Sequence, residues 1–439
     1  MATVKAVRGT RDLLPPETAL WNRIETTARQ VFARYNFGEI RTPIFEDTGL
    51  FARSVGEETD IVSKEMFTWE DRARAQSEKT QSLTLRPENT AGVVRAYIEH
   101  GLGESGQLQK LYYIGPQFRR ERPQKGRYRQ FWQIGAEVIG PPSSGSESAL
   151  RDAEVLEMLA TLLEELKIEG WTLELNSVGS AADRAKYNDV LRAALVDVAP
   201  KMCGDCQRRA VTNPLRVLDC KVPEDEPIID GLPKIGDSLG PDAKNHFAQV
   251  TAALDAAGVA YTLNQRLVRG LDYYTRTTFE FTHAGLGAQN ALLGGGRYDG
   301  LSEAIGGPKA PGIGFAMGLD RLVLTLQAQE AADQNRGAAA AAPGKIDAYV
   351  APIGESLNAA ALVLTRELRR SGLRVELGDG SFRLKKSFEA ADKIARRIVI
   401  LGEDEHQSGI LTVKDFTTGT QIKVPRAELV ANLARPTGE

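Results

Sequence analysis

Two textures of apolar patterning divide the chain. Up to residue 328, one helix-like segment over 18–35 precedes many short runs rich in aromatic and β-branched residues, punctuated by glycine. Such runs predict an α+β domain built on a large antiparallel sheet with helices. Between about Val178 and Gly258 the runs give way to Ala/Leu/Arg segments, which predict a mostly helical insertion. Residues 328–344 are Ala-rich, polar and closed by Pro-Gly, with no apolar period, so 329–344 reads as a linker. Beyond it the pattern alternates: strand 346–352, helix 357–371, strand 373–377, helix 387–395, strand 397–401, then a hairpin from 409–416 and 419–424. Strands alternating with helices predict a compact α/β domain over 345–439.

With 439 residues, 42% apolar and 26% charged, the chain has the composition of an ordinary globular protein of several domains. A net charge of -3 argues against wholesale coating of nucleic acid, so any such contact must use local basic patches. The N-terminal segment lacks a signal-length apolar core and no window approaches a membrane span, which predicts a cytoplasmic protein without membrane contact. Cys203, Cys206 and Cys220 lie close in sequence, the first two at a spacing that can chelate zinc. A fourth ligand is missing, because none of the four histidines has a motif-like position beside them; reduced structural thiols are the expectation.

Five segments carry candidate chemistry. Between the strand-like runs 111–115 and 131–139, six cations (Arg119, Arg120, Arg122, Lys125, Arg127, Arg129) and one carboxylate, Glu121, gather around a Pro/Gly turn. Arginine offers a planar fork for two phosphate oxygens, so this reads as a polyphosphate site; the competing reading is a solvated charged hairpin. In 83–91 a strand stops at Pro87, and Glu88, Asn89 and Thr90 start a helix, well placed for a small amino-bearing ligand or simply for capping that helix. Arg269-Gly-Leu-Asp-Tyr-Tyr-Thr-Arg276 follows a strand-like run over 261–268, and its tyrosines can place a hydrogen bond deep in a pocket. Leu293-Gly-Gly-Gly-Arg-Tyr-Asp-Gly300 lets the backbone approach a ligand but lacks the spacing of a dinucleotide or Walker loop. In 311–324 a small-residue strand over 313–317 runs into a helix whose first turn carries Arg321, where it can grip a terminal phosphate or pair with a carboxylate.

Taken in order, these segments resemble histidyl-tRNA synthetase, of the class II aminoacyl-tRNA synthetases, over essentially the whole chain. Residues 38–46, with Pro43, resemble motif 1; Phe118-Arg-Arg-Glu121 through Glu137 resembles motif 2; Gly314-Phe-Ala-Met-Gly-Leu-Asp-Arg321 resembles motif 3. Arg269 to Tyr274 and Gly294 to Tyr298 resemble the two peptides that mark the histidine enzyme. The resemblance implies a class II catalytic domain, a C-terminal anticodon-binding domain, and activation of L-histidine by ATP with Mg2+ before transfer to tRNA(His). It implies Arg119 on the α-phosphate, Glu121 near the adenine and its magnesium-bound phosphates, Arg321 at the γ-phosphate, and Arg119 with Arg269 as the catalytic charges. It places the α-amino group against Glu88, Thr90 and Gln133, and the imidazole between Glu137 and Tyr274, with Tyr273 and Tyr298 in the same pocket. Arg122, Gln124 and Arg129 would meet the acceptor end of tRNA, including its extra 5′ guanylate, and Pro43 would lie at a homodimer interface.

The segment 383–386 with Lys393, Arg396 and Arg397 is a candidate anticodon-arm surface, or a solvated helix face. Asn89, Arg120 and Trp132 depart from residues frequent in the family, which bears on the fine shape of pocket and loop. Two rivals stand beside this reading. A non-catalytic regulatory paralogue of ATP phosphoribosyltransferase should lack the marker peptides and the C-terminal domain, and a class II synthetase for another amino acid is opposed by the peptide at 269–274.

Overall fold

The computed structural model describes residues 3–56, 59–71, 80–124, 126–286, 290–335 and 345–435. The chain divides into two compact units, Met1–Arg336 and Gly337–Glu439. In the first, the strands are β1 (Gly38–Glu39), β2 (Phe45–Asp47), β3 (Phe67–Asp71), β4 (Gln81–Leu85), β5 (Gln109–Phe118), β6 (Gln130–Ile139), β7 (Trp171–Ser177), β8 (Thr262–Leu263), β9 (Thr275–His283), β10 (Ala291–Arg297) and β11 (Gly312–Gly318). Eight of them form one sheet in the order β1-β5-β6-β11-β10-β9-β7-β8, antiparallel through its centre and closed at both edges by short parallel pairs. Strands β2, β4 and β3 form a separate small sheet.

Side chains alternate between the two faces of a strand. On one face Ile134, Ala136, Val138, Phe279, Phe281 and Phe315 join the main core with the helices Glu17–Arg34, Ala149–Glu165, Pro241–Ala257 and Leu319–Asn335. The first of these helices shows why it forms: Trp21, Ile24, Ala28, Val31 and Phe32 recur every three or four residues and are all buried. Burial of each large side chain contributes about 1.5–3 kcal/mol. Its acidic start at Glu17 and basic end at Arg34 complement the helix dipole.

Arg297, which follows the glycine run, is fully buried on the helix side of the sheet. Its Nε donates to Asp152 at 3.0 Å and its Nη1 donates to the Ser146 carbonyl and to Asp299, both at 2.9 Å. Asp152, in the first turn of the helix Ala149–Glu165, is also fully buried. The pair ties helix to sheet, so Arg297 has a structural place and does not approach a ligand.

The stretch expected to be a helical insertion has a small core of its own, with Tyr187, Leu191, Cys206, Val217, Leu218, Ile229 and Ile235. That core stops short of the expected boundary at 258, because Val250 and Leu254 of the helix Pro241–Ala257 pack into the main core. The strand expected over 261–268 shrinks to Thr262–Leu263: Asn264 turns the chain by accepting the Arg266 amide at 3.0 Å. The helix Leu319–Asn335 runs into the stretch read as a linker, as an Ala/Gln sequence with high helix propensity can; 336–344 lie outside the described residues.

In the second unit β12 (Ile346–Pro352), β13 (Val375–Leu377), β14 (Ala395–Leu401), β15 (Ile410–Asp415) and β16 (Gln421–Pro425) order as β13-β12-β14-β15-β16. The first three run parallel, with the helices Asn358–Arg370 and Leu384–Ile394 as crossovers, and the last two add an antiparallel hairpin. Arg397 leaves the candidate basic surface: it is buried, pairs with Asp415 at 2.9 Å and donates to the carbonyls of Leu433 and Arg435. Arg383, Lys385, Lys386 and Lys393 are exposed.

Removing one member of a buried ion pair leaves the other charge uncompensated. Asp152→Ala is therefore expected to destabilise the first unit by about 3–5 kcal/mol in urea unfolding; a loss below about 1 kcal/mol would remove the pair from the account of stability.

Candidate active site

The face of the large sheet turned away from the main core is nearly bare at its centre. Cross-strand register sets Glu137 opposite Gly314 and Gly314 opposite Gly296, while Gly135 opposes Ala316, Ala316 opposes Gly294, and Gly294 opposes Glu280. A side chain at two of these glycines would collide with the site itself. A Cβ at Gly294 would sit 2.5 Å from Nη1 of Arg269, and one at Gly314 would overlap the Glu137 carboxylate. The small residues thus help to open a cavity of about 410 Å3, lined by Glu88, Thr90, Gln133, Tyr273 and Tyr274 together with Arg119, Glu121, Arg127, Arg269 and Arg321.

Glu88, Thr90, Gln133, Tyr273 and Tyr274 form one group in this lining, of carboxylate, amide, hydroxyl and aromatic side chains. Glu88 stands ahead of the helix Thr90–Glu99 and accepts the amides of Thr90 at 2.7 Å and Ala91 at 3.0 Å, so it, not Asn89 or Thr90, caps that helix. Asn89 instead accepts a hydrogen bond from Thr42 at 2.6 Å. Burial raises the Glu88 carboxyl above its ordinary range, against the pull of those two amides. Glu137 and Tyr298 lie beneath the cavity rather than on its surface: Thr90 and Tyr298 each donate to the Glu137 carboxylate at 2.7 Å. Burial pushes Glu137 up to about 8 in spite of both bonds, and nearby Glu88 adds to the rise. Burial likewise holds the Tyr273, Tyr274 and Tyr298 hydroxyls above the usual tyrosine range. The Gln133 side-chain oxygen is buried and has no hydrogen-bond partner among the described residues.

The arginines form a second group, held before any ligand arrives. Arg119 donates its Nε to the Pro87 carbonyl at 2.9 Å and lies 5.3 Å over the Phe131 ring, with Glu121 at 3.9 Å. Glu121 pairs more closely with Arg127, at 3.0 Å. Arg269, packed over Gly294, meets Glu280 at 2.5 Å; burial works against its charge, but Glu280 outweighs that and holds it strongly protonated. Arg321, in the first turn of the helix Leu319–Asn335, donates to the Ala291 carbonyl at 2.6 Å, and burial with neighbouring Arg127 lowers its pKa. Beyond the cavity, Arg122 and Gln124 are exposed at the hairpin tip. Arg129 is half-buried against Gly9, whose carbonyl accepts the Arg129 amide. Lys125 lies outside the described residues.

Residues from five distant segments therefore meet at one cavity. Four contributors were not among the site residues expected from the sequence. Arg127 had been read only as part of the basic cluster, and Glu280 is the one carboxylate within an otherwise apolar and threonine run, a signal that was present but not used. Asp219 and Lys221 come from the helical insertion and line the same cavity, flanking Cys220. Of the residues that depart from the family pattern, Trp132 lines the cavity and meets Trp21 edge-on, while Arg120 lies 5.9 Å over Phe67.

Residues 9–322 match the family model of histidyl-tRNA synthetase, and 347–435 that of an anticodon binding domain. The chain is 71% identical to the histidine–tRNA ligase of Koribacter versatilis, over 99% of this chain and 98% of that protein. It is 53% identical to the histidine–tRNA ligase of Solibacter usitatus, over 98% and 99%. The crystal structure of apo S. aureus histidyl-tRNA synthetase is similar with a TM-score of 0.78 at 36% identity, over 99% of this chain and all of that one. A Bacillus halodurans protein titled as an ATP phosphoribosyltransferase regulatory subunit/histidyl-tRNA synthetase shares the fold at a TM-score of 0.64 and 20% identity. With a full-length match, both family models and the converging site, this chain belongs to the histidyl-tRNA synthetase family.

Proposed function

We infer that this chain ligates histidine to its tRNA with ATP, and that the cavity performs the first, activating step. The observation that carries this is the make-up of the cavity: its lining combines carboxylate and amide acceptors for a donor-rich cation with guanidinium groups for phosphates. Free histidine and ATP, meeting at the histidine carboxylate and the α-phosphorus, fit that division.

In this reading the α-ammonium group donates to Glu88 and to the unpartnered Gln133 oxygen, beside Thr90. The imidazole lies against Tyr274 and the Thr90–Glu137–Tyr298 chain, with Tyr273 closing the pocket. Each carboxylate oxygen retains a second lone pair, so the bonds that already orient Glu88 and Glu137 leave room for a ligand donor. A competitor without those donors would leave buried acceptors unsatisfied, which is a strong basis for selectivity. The histidine carboxylate, already an anion, forms a bond to the α-phosphorus as the bond to pyrophosphate breaks. Arg119 and Arg269 oppose the charge that develops there, and Arg321 holds the γ-phosphate end. Catalysis then consists of alignment and charge stabilisation. The terminal ribose of tRNA next attacks the activated carbonyl and AMP leaves.

Magnesium fits the donor set near the phosphates: the carboxylates Glu65 and Glu121 line one surface with Arg119 and Arg127, and burial with neighbouring Glu121 raises the Glu65 carboxyl. Bound with ATP, the ion would neutralise phosphate charge while Glu121 and Glu65 hold it. Arg122 and Gln124, with Arg129 behind them, are proposed to meet the tRNA acceptor end, and the exposed cations Arg383, Lys385, Lys386 and Lys393 the anticodon arm. Ile44, Phe45 and Trp69 are exposed apolar side chains close to Pro43, in keeping with a homodimer contact there. No helix of the described residues is long and apolar enough to cross a membrane, and we assign the protein to the cytoplasm, where tRNA charging serves translation. The regulatory-subunit alternative is disfavoured by the full set of phosphate-facing arginines and by the 71% identity to a histidine–tRNA ligase.

Exchange of labelled pyrophosphate into ATP is expected to depend on histidine and to be absent with proline or threonine; exchange with either of those would reject the reading. Arg269→Ala is expected to slow adenylate formation by about 2–4 kcal/mol while circular dichroism shows the fold intact, and unchanged turnover would take Arg269 out of the mechanism. Glu137 supplies a pH test. Its carboxyl is raised from 4.5 to about 8 in the folded protein, so its contribution to stability is complete below the lower value and is lost as pH rises through the upper one. Urea unfolding of the histidine-free protein should show wild type losing stability relative to Glu137→Gln across that window, whereas a pH-independent difference would contradict the buried, neutral carboxyl.

A further inference from the structure

The helical insertion contains a second cluster of chemistry that the ligation reaction does not use. Cys203 caps the helix Gly204–Thr212 and Cys206 lies in its first turn; Cys220 follows the turn Pro214–Asp219, and Asp225 ends the turn Pro223–Asp225. The ligand atoms of these four residues all lie within 4.8 Å of one another. Asp225 is the fourth donor that no histidine supplied in the sequence.

Two edges of the cluster match those of a tetrahedral cage. Cys203 Sγ and Cys220 Sγ are 3.8 Å apart, and Cys220 Sγ is 3.3 Å from Asp225 Oδ2. For a tetrahedral zinc with metal–sulfur bonds of about 2.3 Å and metal–oxygen bonds of about 2.1 Å, the corresponding edges are about 3.8 and about 3.6 Å. A disulfide needs about 2.05 Å and would leave one thiol and the carboxylate without a role. The surrounding backbone already orients the donors: the Val222 amide donates to Cys220 Sγ at 3.4 Å, and the Cys203 amide donates to both Asp225 oxygens, at 3.0 and 3.2 Å. Such outer contacts fix ligand orientation in metal sites.

Burial provides an independent argument. Asp225 is 1% exposed and Cys206 and Cys220 are buried, yet no lysine, arginine or histidine of the described residues pairs with that carboxylate. The carboxylate is met by the Cys203 amide and the Cys220 thiol, and a divalent ion among the four donors would supply the positive charge that no side chain of the described residues brings to it. Three thiolates and one carboxylate in a compact cage select zinc over the harder ions.

We propose that Cys203, Cys206, Cys220 and Asp225 bind one structural zinc ion. The site is closed by four protein ligands and leaves no open position for substrate, so its part is to hold the insertion together. The ion joins the helix Gly204–Thr212 to the segment carrying Asp219 and Lys221, which line the proposed ATP–histidine cavity. Arg216, 3.3 Å from Asp219, packs against Gly270, next to Arg269. Zinc therefore braces the rim beside a proposed catalytic charge, as a positioning element.

The test uses the full chain, expressed in zinc-supplemented medium and purified without chelator. Elemental analysis is expected to find about one zinc per chain, released on titration with a mercurial as the three thiols become reactive. Cys206→Ser is expected to lose the metal. Because that variant risks misfolding, cobalt is added to the chelator-stripped wild-type chain: intense visible bands and thiolate charge-transfer bands of a tetrahedral site are expected, with the visible bands shifted in Asp225→Asn. Wild-type chain without zinc, a Cys203–Cys220 disulfide in its mass map, or a weak octahedral cobalt spectrum would each overturn the proposal.

Discussion

The site rests on a constraint of omission: Gly135, Gly294, Gly296, Gly314 and Ala316 strip the centre of one face of an antiparallel sheet to glycine and alanine, and Tyr113, Glu137, Arg269 and Tyr274 take up the room this leaves. Alternation along each strand makes this compatible with a dense core, since the residues between them, such as Ile134, Ala136, Phe279 and Phe315, fill the opposite face. A helix could not divide its surface so cleanly. The sheet is therefore both the wall of the core and the floor of the cavity, and a one-residue slip in register would exchange the two.

Upon that floor charge is sorted by position. Acceptors gather where Thr90 and Tyr298 orient Glu137, and guanidinium groups gather where Phe131, Pro87 and Glu280 restrain Arg119 and Arg269. Each charged group is held by a neighbour before a ligand binds, so little reorganisation accompanies reaction, which is the condition under which fixed charges are most effective. Burial keeps Glu137 neutral near neutral pH in the ligand-free protein, and a cationic partner beside it would favour ionisation.

The sequence disclosed the elements and the residue types of the site through runs that are each short and locally explicable: the strand pair around the basic turn, the strand stopped by Pro87, the glycine run, and the helix start carrying Arg321 all appear where expected. What it did not disclose depends on contacts between distant segments. Glu280 becomes meaningful only when β9 lies beside the glycines of β10, and Asp225 only when two turns fold back onto a helix cap. Arg397 looked like surface charge because a single buried arginine satisfied by chain carbonyls leaves no mark in local composition. The shortened strand at Thr262–Leu263 reflects a side chain–backbone turn at Asn264 that outweighed apolar patterning.

The most direct measurement of the central claim is a crystal structure of the full chain with histidine and a non-hydrolysable ATP analogue. The account predicts the α-ammonium group within hydrogen-bonding distance of Glu88 and Gln133, the imidazole beside the Glu137–Tyr298 pair, and the α-phosphate between Arg119 and Arg269 over the bare centre of the sheet. Ligands lodged elsewhere, or those guanidinium groups turned to solvent in the complex, would contradict it.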